Sequence, residues 1–180
     1  PSAPPWRCKS ARSKPMASGK TLLVVYHSLT GGTRQMAEAA ADAAAGEGVA
    51  VRLQHAARAG PDDVLAAHGY LFATPENLAA ISGQLKDFFD RSYYPVLDQI
   101  NARPYASLVC AGSDGSNAAR QIARIATGWR LKAVAEPLIV CTHAQTPEAI
   151  LAPKQIGAAD LERCRALGAA LAMGLALGIF

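Results

Sequence analysis

The sequence predicts one α/β domain with a parallel sheet of strand order 2-1-3-4-5 and helices on both faces, and three observations carry that reading. Five short apolar runs recur, at Thr21 to Tyr26, Val49 to Leu53, Tyr70 to Ala73, Tyr105 to Ala111 and Leu138 to Cys141, each of strand length. Between them lie stretches with helical spacing, such as Leu85, Phe88 and Phe89, then Ala118, Ile122 and Ile125, flanked by Gly, Pro or Asp. Finally, two runs carry the marks of sheet edges. Val51, Arg52, Leu53 and Gln54 alternate, and Pro137, which cannot donate to a ladder, adjoins the fifth run.

Alternation of strand and helix requires crossover connections, and these place helices over both faces of a parallel sheet. The first, third and fourth runs are continuously apolar, as strands buried on both sides must be. With the second and fifth at the edges, the doubly wound order follows. At the end of the chain, Leu161, Cys164, Leu167, Leu171 and Leu175 form a helical stripe, and the uncharged stretch from Ala166 to Phe180 is shorter than the roughly 20 residues that cross a bilayer. It reads as a terminal helix packed on the core, with no membrane span.

A chain of 180 residues, 51% hydrophobic, is the size of one core. Residues 1–18 stand apart. Pro1, Pro4, Pro5 and Pro15 alternate with Arg7, Lys9, Arg12 and Lys14 and no acidic residue intervenes, which predicts a disordered basic leader or an extension upstream of a natural start at Met16. Residues 19–180 are the folded domain. Four of the 18 basic residues lie in the leader, so the remaining 14 balance the 14 acidic ones. The folded part is neutral and carries no basic stripe, which argues against a nucleic-acid partner. Cys8, Cys110, Cys141 and Cys164 form no CxxC pair and read as reduced, buried thiols; with no secretory pattern, a cytoplasmic location is expected.

In a doubly wound sheet, ligands bind beyond the carboxyl ends of the strands where the order reverses, here after strands one and three. The first such loop is His27, Ser28, Leu29, Thr30, Gly31, Gly32, Thr33, followed by a helix beginning near Arg34. Hydroxyls and backbone N–H groups converging at a helix's positive end suit a phosphate. The loop lacks GxxxxGK[ST] and GxGxxG, which excludes a triphosphate P-loop and a standard dinucleotide fingerprint. It also lacks a phosphatase cysteine and the aspartates of a phosphoacceptor domain.

The spacing Ser28-x-Thr30-Gly31-x-Thr33 resembles the phosphate loop of the flavodoxin-like superfamily. A second stretch, Thr74-Pro75-Glu76-Asn77 followed by Ser82, Gly83, Leu85, Lys86, Phe89 and Asp90, resembles the flavin loop and helix of NAD(P)H-dependent FMN reductases and related quinone reductases. With Ala111 to Gly115, the resemblance covers roughly Thr21 to Cys141. It implies a flavodoxin-like three-layer sandwich that binds FMN. Carried over by position, Ser28, Thr30, Gly31, Gly32 and Thr33 hold the phosphate, with Arg34 nearby. Pro75, Glu76, Asn77 and Leu78 meet the isoalloxazine, the last three through N–H groups freed by the proline-fixed turn. Gly112, Ser113, Asp114 and Gly115 close the opposite side.

The same resemblance implies NADPH or NADH as reductant and a small-molecule electron acceptor such as a quinone or free flavin. The flavin performs the redox chemistry, so neither a catalytic side chain nor a metal is expected. Flavodoxins that carry single electrons are strongly acidic, stack aromatics on the ring and use a glycine in the flavin loop. This chain is neutral, has no aromatic residue from Thr74 to Ile81 or Gly112 to Asn117, and has no glycine in that loop before Gly83. A two-electron reductase is therefore favoured over a one-electron carrier or a non-catalytic interaction module. His143 follows strand five at the same rim and is a candidate for nicotinamide or substrate; Arg34, Arg120 and Arg130 are candidates for a second phosphate. The stretch Arg91 to Pro95 fits either a contact in a homo-oligomer or a cap on the local core.

Overall fold

Residues Thr21–Tyr26 form β1, whose side chains divide between two cores: Leu22 and Val24 enter one, Leu23 and Val25 the other, all without exposure. That division is why the run is apolar at every position. The computed structural model describes residues 19–180, and the basic leader lies outside them.

From β1 the chain passes through α1 (Gly32–Ala45), β2 (Ala50–His55), α2 (Pro61–Ala66), β3 (Gly69–Asn77), β4 (Ala80–Ile81), α3 (Gly83–Val96), β5 (Pro104–Ala111) and α4 (Ser116–Gly128). It ends with β6 (Lys132–Ala133), β7 (Leu138–Cys141), α5 (Pro147–Leu151) and α6 (Ala158–Leu177). The parallel sheet runs β2-β1-β3-β5, with β6 and β7 both on the outer side of β5. Helices α1 and α6 cover one face, and α2, α3 and α4 cover the other. The three-layer α/β sandwich is thus the one expected.

Two details differ from the expected sheet of five strands. Strand five is split: Ala133 pairs with Tyr105 and Leu138 with Leu108, so two more residues are spent on the outer strand than on β5 between those rungs. Pro137 sits in the gap, where its missing N–H forbids a continuous ladder. The other addition is β4, which folds antiparallel onto the end of β3 through Glu76↔Ile81 and Asn77↔Ala80.

One core is built on aromatic rings, with Phe72 edge-on to Phe89 and Trp129. Tyr70 joins it fully buried, and its hydroxyl donates to Val64 O at 2.9 Å and accepts from Arg103 Nη1 at 3.2 Å. Arg103 also donates to Leu65 O and Ala67 O, so the exit of α2 is tied to the sheet. Tyr70→Phe removes the hydroxyl's bond to Val64 O, which keeps Arg103 Nη1 and the Ala67 N–H as donors, and is expected to lower stability by about 1 kcal/mol, read by urea unfolding. Within Arg91 to Pro95, Ser92 is fully buried, Tyr93 packs against this core and Tyr94 is exposed. Among the described residues the thiols of Cys110 and Cys164 are buried and that of Cys141 is half-buried, all free. No helix among those residues is long and apolar enough to cross a membrane.

Candidate functional site

The end of β1 is held to its neighbour by the His27 N–H, which donates to Ala73 O at 3.1 Å. The chain then turns: the Gly31 N–H donates to Ser28 Oγ at 3.1 Å, and Gly31 caps α1 at φ 88°, a left-handed conformation that a Cβ disfavours. Helix α1 begins at Gly32, two residues before the expected start. The first regular bond of the helix is Gln35 N–H to Gly31 O at 3.1 Å. The N–H groups of Thr30, Gly32, Thr33 and Arg34 have no partner among the described residues. Thr33 Oγ1 is in the same condition though its residue is 1% exposed. Donors free at a helix's positive end, beside a buried hydroxyl lacking a bond, fit the phosphate of FMN.

Next to this loop, His27 Nδ1 is buried without a partner, and burial, aided by His55, holds that imidazole below its ordinary pKa. Beneath it, burial pushes the Cys110 thiol up, while the Thr33 hydroxyl and the Lys154 charge pull the other way.

The stretch expected to meet the ring is a hairpin tip. Leu78 and Ala79 lie between β3 and β4 at φ 49° and 58°, and Leu78 is fully exposed. Thr74 Oγ1 accepts from Ser82 N–H at 3.0 Å, and Ser82 Oγ accepts from Leu85 N–H at 3.3 Å, so two buried hydroxyls join the hairpin's base to the cap of α3. Pro75 belongs to β3, opposite Cys110.

Helix α4 grips the hairpin from the other side. Gly115, left-handed at φ 79°, caps α4 and donates its N–H to Glu76 Oε2 at 2.8 Å. Asn117 Nδ2 donates to Ala79 O, and Gln121 Oε1 accepts from Ile81 N–H at 3.1 Å. Asp114 Oδ2 accepts from Ser116 Oγ at 2.6 Å. Glu76→Ala breaks the carboxylate bond joining the hairpin to the Gly112–Gly115 loop. It is expected to weaken flavin binding by about three- to tenfold, measured by titrating the flavin-free protein, with a smaller loss for Glu76→Gln, which keeps an acceptor oxygen.

Between these elements runs an open cleft. Its end beside the first loop is lined by Ser28, Leu29, Thr30, Thr33, Pro75, Glu76, Asn77, Cys110, Ala111, Gly112, Thr142, Ala144, Ile150 and Lys154. A second part adds Leu78, Ala79, Ser113 and Gln145 and shares Glu76, Asn77, Gly112, Ala144 and Ile150 with the first. The expected residues from both switch-point loops thus come together. Gly31 and Gly32 shape the turn behind the lining, and Asp114 and Gly115 form the cap of α4 rather than the wall. His143, at φ 56°, stands between the lining residues Thr142 and Ala144 but does not line the cleft itself. Arg34 pairs with Glu38 at 3.4 Å, Arg130 with Asp98, and Arg120 lines a separate hollow beside Tyr105. Sequence reasoning missed the wall from Thr142 to Lys154 and the clamps Asn117 and Gln121. The first was signalled only by its position after strand five, on the same rim.

Residues 54–146 match the model of the NADPH-dependent FMN reductase family. A stretch of 70 residues is 43% identical to a flavodoxin of Aquifex aeolicus, covering 38% of each chain. Another alignment, over 92 residues, is 36% identical to an NAD(P)H dehydrogenase (quinone) of Acidithiobacillus ferrooxidans, covering 39% of this chain and 46% of that one. This chain therefore spans less than half the length of the curated relatives it matches. Among solved structures, a flavodoxin from the domain Archaea superposes with a TM-score of 0.70 at 18% identity, over 86% of this chain and 98% of that one, which is a likeness of fold.

Proposed function

From the chain's membership of the NADPH-dependent FMN reductase family, we propose that it uses NADPH or NADH to reduce quinones, flavins or similar small acceptors by two-electron transfer. The family and the fold make it a flavodoxin-like, FMN-type oxidoreductase. One observation carries the finer reading: among the described residues, none lining either part of the cleft is aromatic. A ring seated there keeps a face open to a nicotinamide and afterwards to an acceptor.

FMN, when bound, would supply the two-electron redox chemistry between the reduced nicotinamide and the acceptor. The protein's part is to hold and orient. Ser28, Thr30 and Thr33 offer hydroxyls to the phosphate, and the amides of Thr30, Gly32, Thr33 and Arg34 offer N–H groups. Glu76 fixes the hairpin against the cap of α4, which sets the width of the ring end. Leu78 and Ile150, both exposed, give that end an apolar rim on which a nicotinamide or an acceptor can pack.

The test is anaerobic mixing of FMN-loaded protein with NADPH and with NADH. Bleaching of the flavin absorbance, and its return on adding a benzoquinone, are expected; failure of both nicotinamides to bleach it overturns the reading. The stretch shared with a flavodoxin motivates a second one, a one-electron carrier. Stepwise reduction that resolves into two well-separated one-electron stages would favour that carrier instead.

A further inference from the structure

A flavin phosphomonoester is a dianion, yet the loop that receives it brings hydroxyls and N–H groups without a cation. Arg34, the basic residue of the first turn of α1, pairs with Glu38 and its side chain is 60% exposed. A cation reaches the site from elsewhere in the chain. Lys154, between α5 and α6, lines the phosphate end of the cleft together with Ser28, Thr30 and Thr33.

Its backbone is stapled to the phosphate loop. The Lys154 N–H donates to Thr30 O at 2.8 Å, and Lys154 O accepts from Gln35 Nε2 at 2.7 Å. Gln35 then accepts the Ile156 N–H on Oε1 at 3.2 Å, so one side chain of α1 holds both sides of the strap. The two segments touch closely enough that a Cβ on Gly32 would stand 3.2 Å from Lys154 Cβ.

The ammonium is fixed as well. Nζ donates to Ala149 O at 2.6 Å, Ile150 O at 2.9 Å and Ala152 O at 2.7 Å, at the C-terminal end of α5. Three carbonyls satisfy its donors without neutralising its charge, and they hold that charge within one side chain's length of the loop. Its field already reaches the floor of the cleft, where it opposes the effect of burial on Cys110.

We propose that Lys154 is the specificity-determining cation of the cofactor site, selecting phosphorylated flavin over riboflavin by its charge rather than by contact with the ring. The proposal rests on the reading that the cleft takes FMN. A purely structural Lys154 would act differently. Its ammonium holds the end of α5, which carries Ile150 into both parts of the cleft, so its loss would weaken either flavin alike.

The flavin-free full chain is therefore titrated with FMN and with riboflavin, following flavin fluorescence, for the unmutated protein, Lys154→Met and Lys154→Arg. Lys154→Met is expected to weaken FMN binding by about tenfold or more beyond any loss of riboflavin binding, with Lys154→Arg close to the unmutated protein. Inorganic phosphate is expected to displace FMN from the unmutated protein more readily than from Lys154→Met, and added salt to reduce the difference between the two proteins. Equal losses for both flavins, or an FMN-to-riboflavin ratio that does not move, overturn this role alone. Failure of the unmutated chain to bind FMN overturns the cofactor assignment, and this role falls with it.

Discussion

Replacing Thr33 with valine is expected to stabilise the flavin-free chain by about 1 kcal/mol and to weaken FMN binding by about tenfold or more. The two side chains have nearly the same shape, so the change removes a hydroxyl and little else. That hydroxyl is buried without a hydrogen-bond partner, beside a Cys110 thiol that is at best a weak one. Folding desolvates it for no return until a phosphate oxygen arrives. Opposite signs for stability and affinity are the mark of a residue kept for its ligand. Urea unfolding of the flavin-free protein and a flavin titration measure both quantities. A Thr33→Val chain that is less stable and binds FMN as before would place the phosphate elsewhere.

Gly168→Ala is expected to lower stability by about 3 kcal/mol, and the midpoint of thermal unfolding by about 6–12 °C for a chain of this size. On an exposed helix the same change would add about 1 kcal/mol of stability, so the sign alone is decisive. Gly168 lies in α6 where it crosses α1, and a Cβ built there would stand 2.1 Å from Ala40 O. The obstacle is main chain inside a helix, which cannot rotate aside as a side chain would. Relief requires α6 to lift from α1, opening the core that contains Met36, Ala40, Leu171 and Leu175. Differential scanning calorimetry reads the shift, and an unchanged midpoint would show that the two helices do not meet at this separation.

The elements most legible in the sequence were those whose composition is set by burial on two sides. β1 and β5 are apolar at nearly every position because alternate side chains enter opposite cores, and Arg52 and Gln54 marked β2 as an edge. The two switch-point loops were legible because the doubly wound order places ligands there and their residues resemble known phosphate and flavin loops. The hairpin tip was not. Leu78 and Ala79 adopt positive φ without the glycine or asparagine that normally announces such a turn. Lys154 was missed for another reason: its partner Gln35 is 119 residues away, and no local pattern records that pairing. Gly168 resembled any glycine inside a helix, since the carbonyl that demands it belongs to another element.

Strand five, broken between Ala133 and Leu138 with Pro137 in the gap, bears on how copies of this protein meet. An uninterrupted outer strand offers a row of unused amides and carbonyls on which a foreign chain can build. Here that border is two short pieces, β6 of two residues and β7 of four, parted by a detour that holds a ring without an N–H, while the far border is β2 with an arginine in its middle. Short pieces on one side and a charge in mid-strand on the other make both margins poor templates for growth, so end-to-end fibres seeded from the sheet are disfavoured.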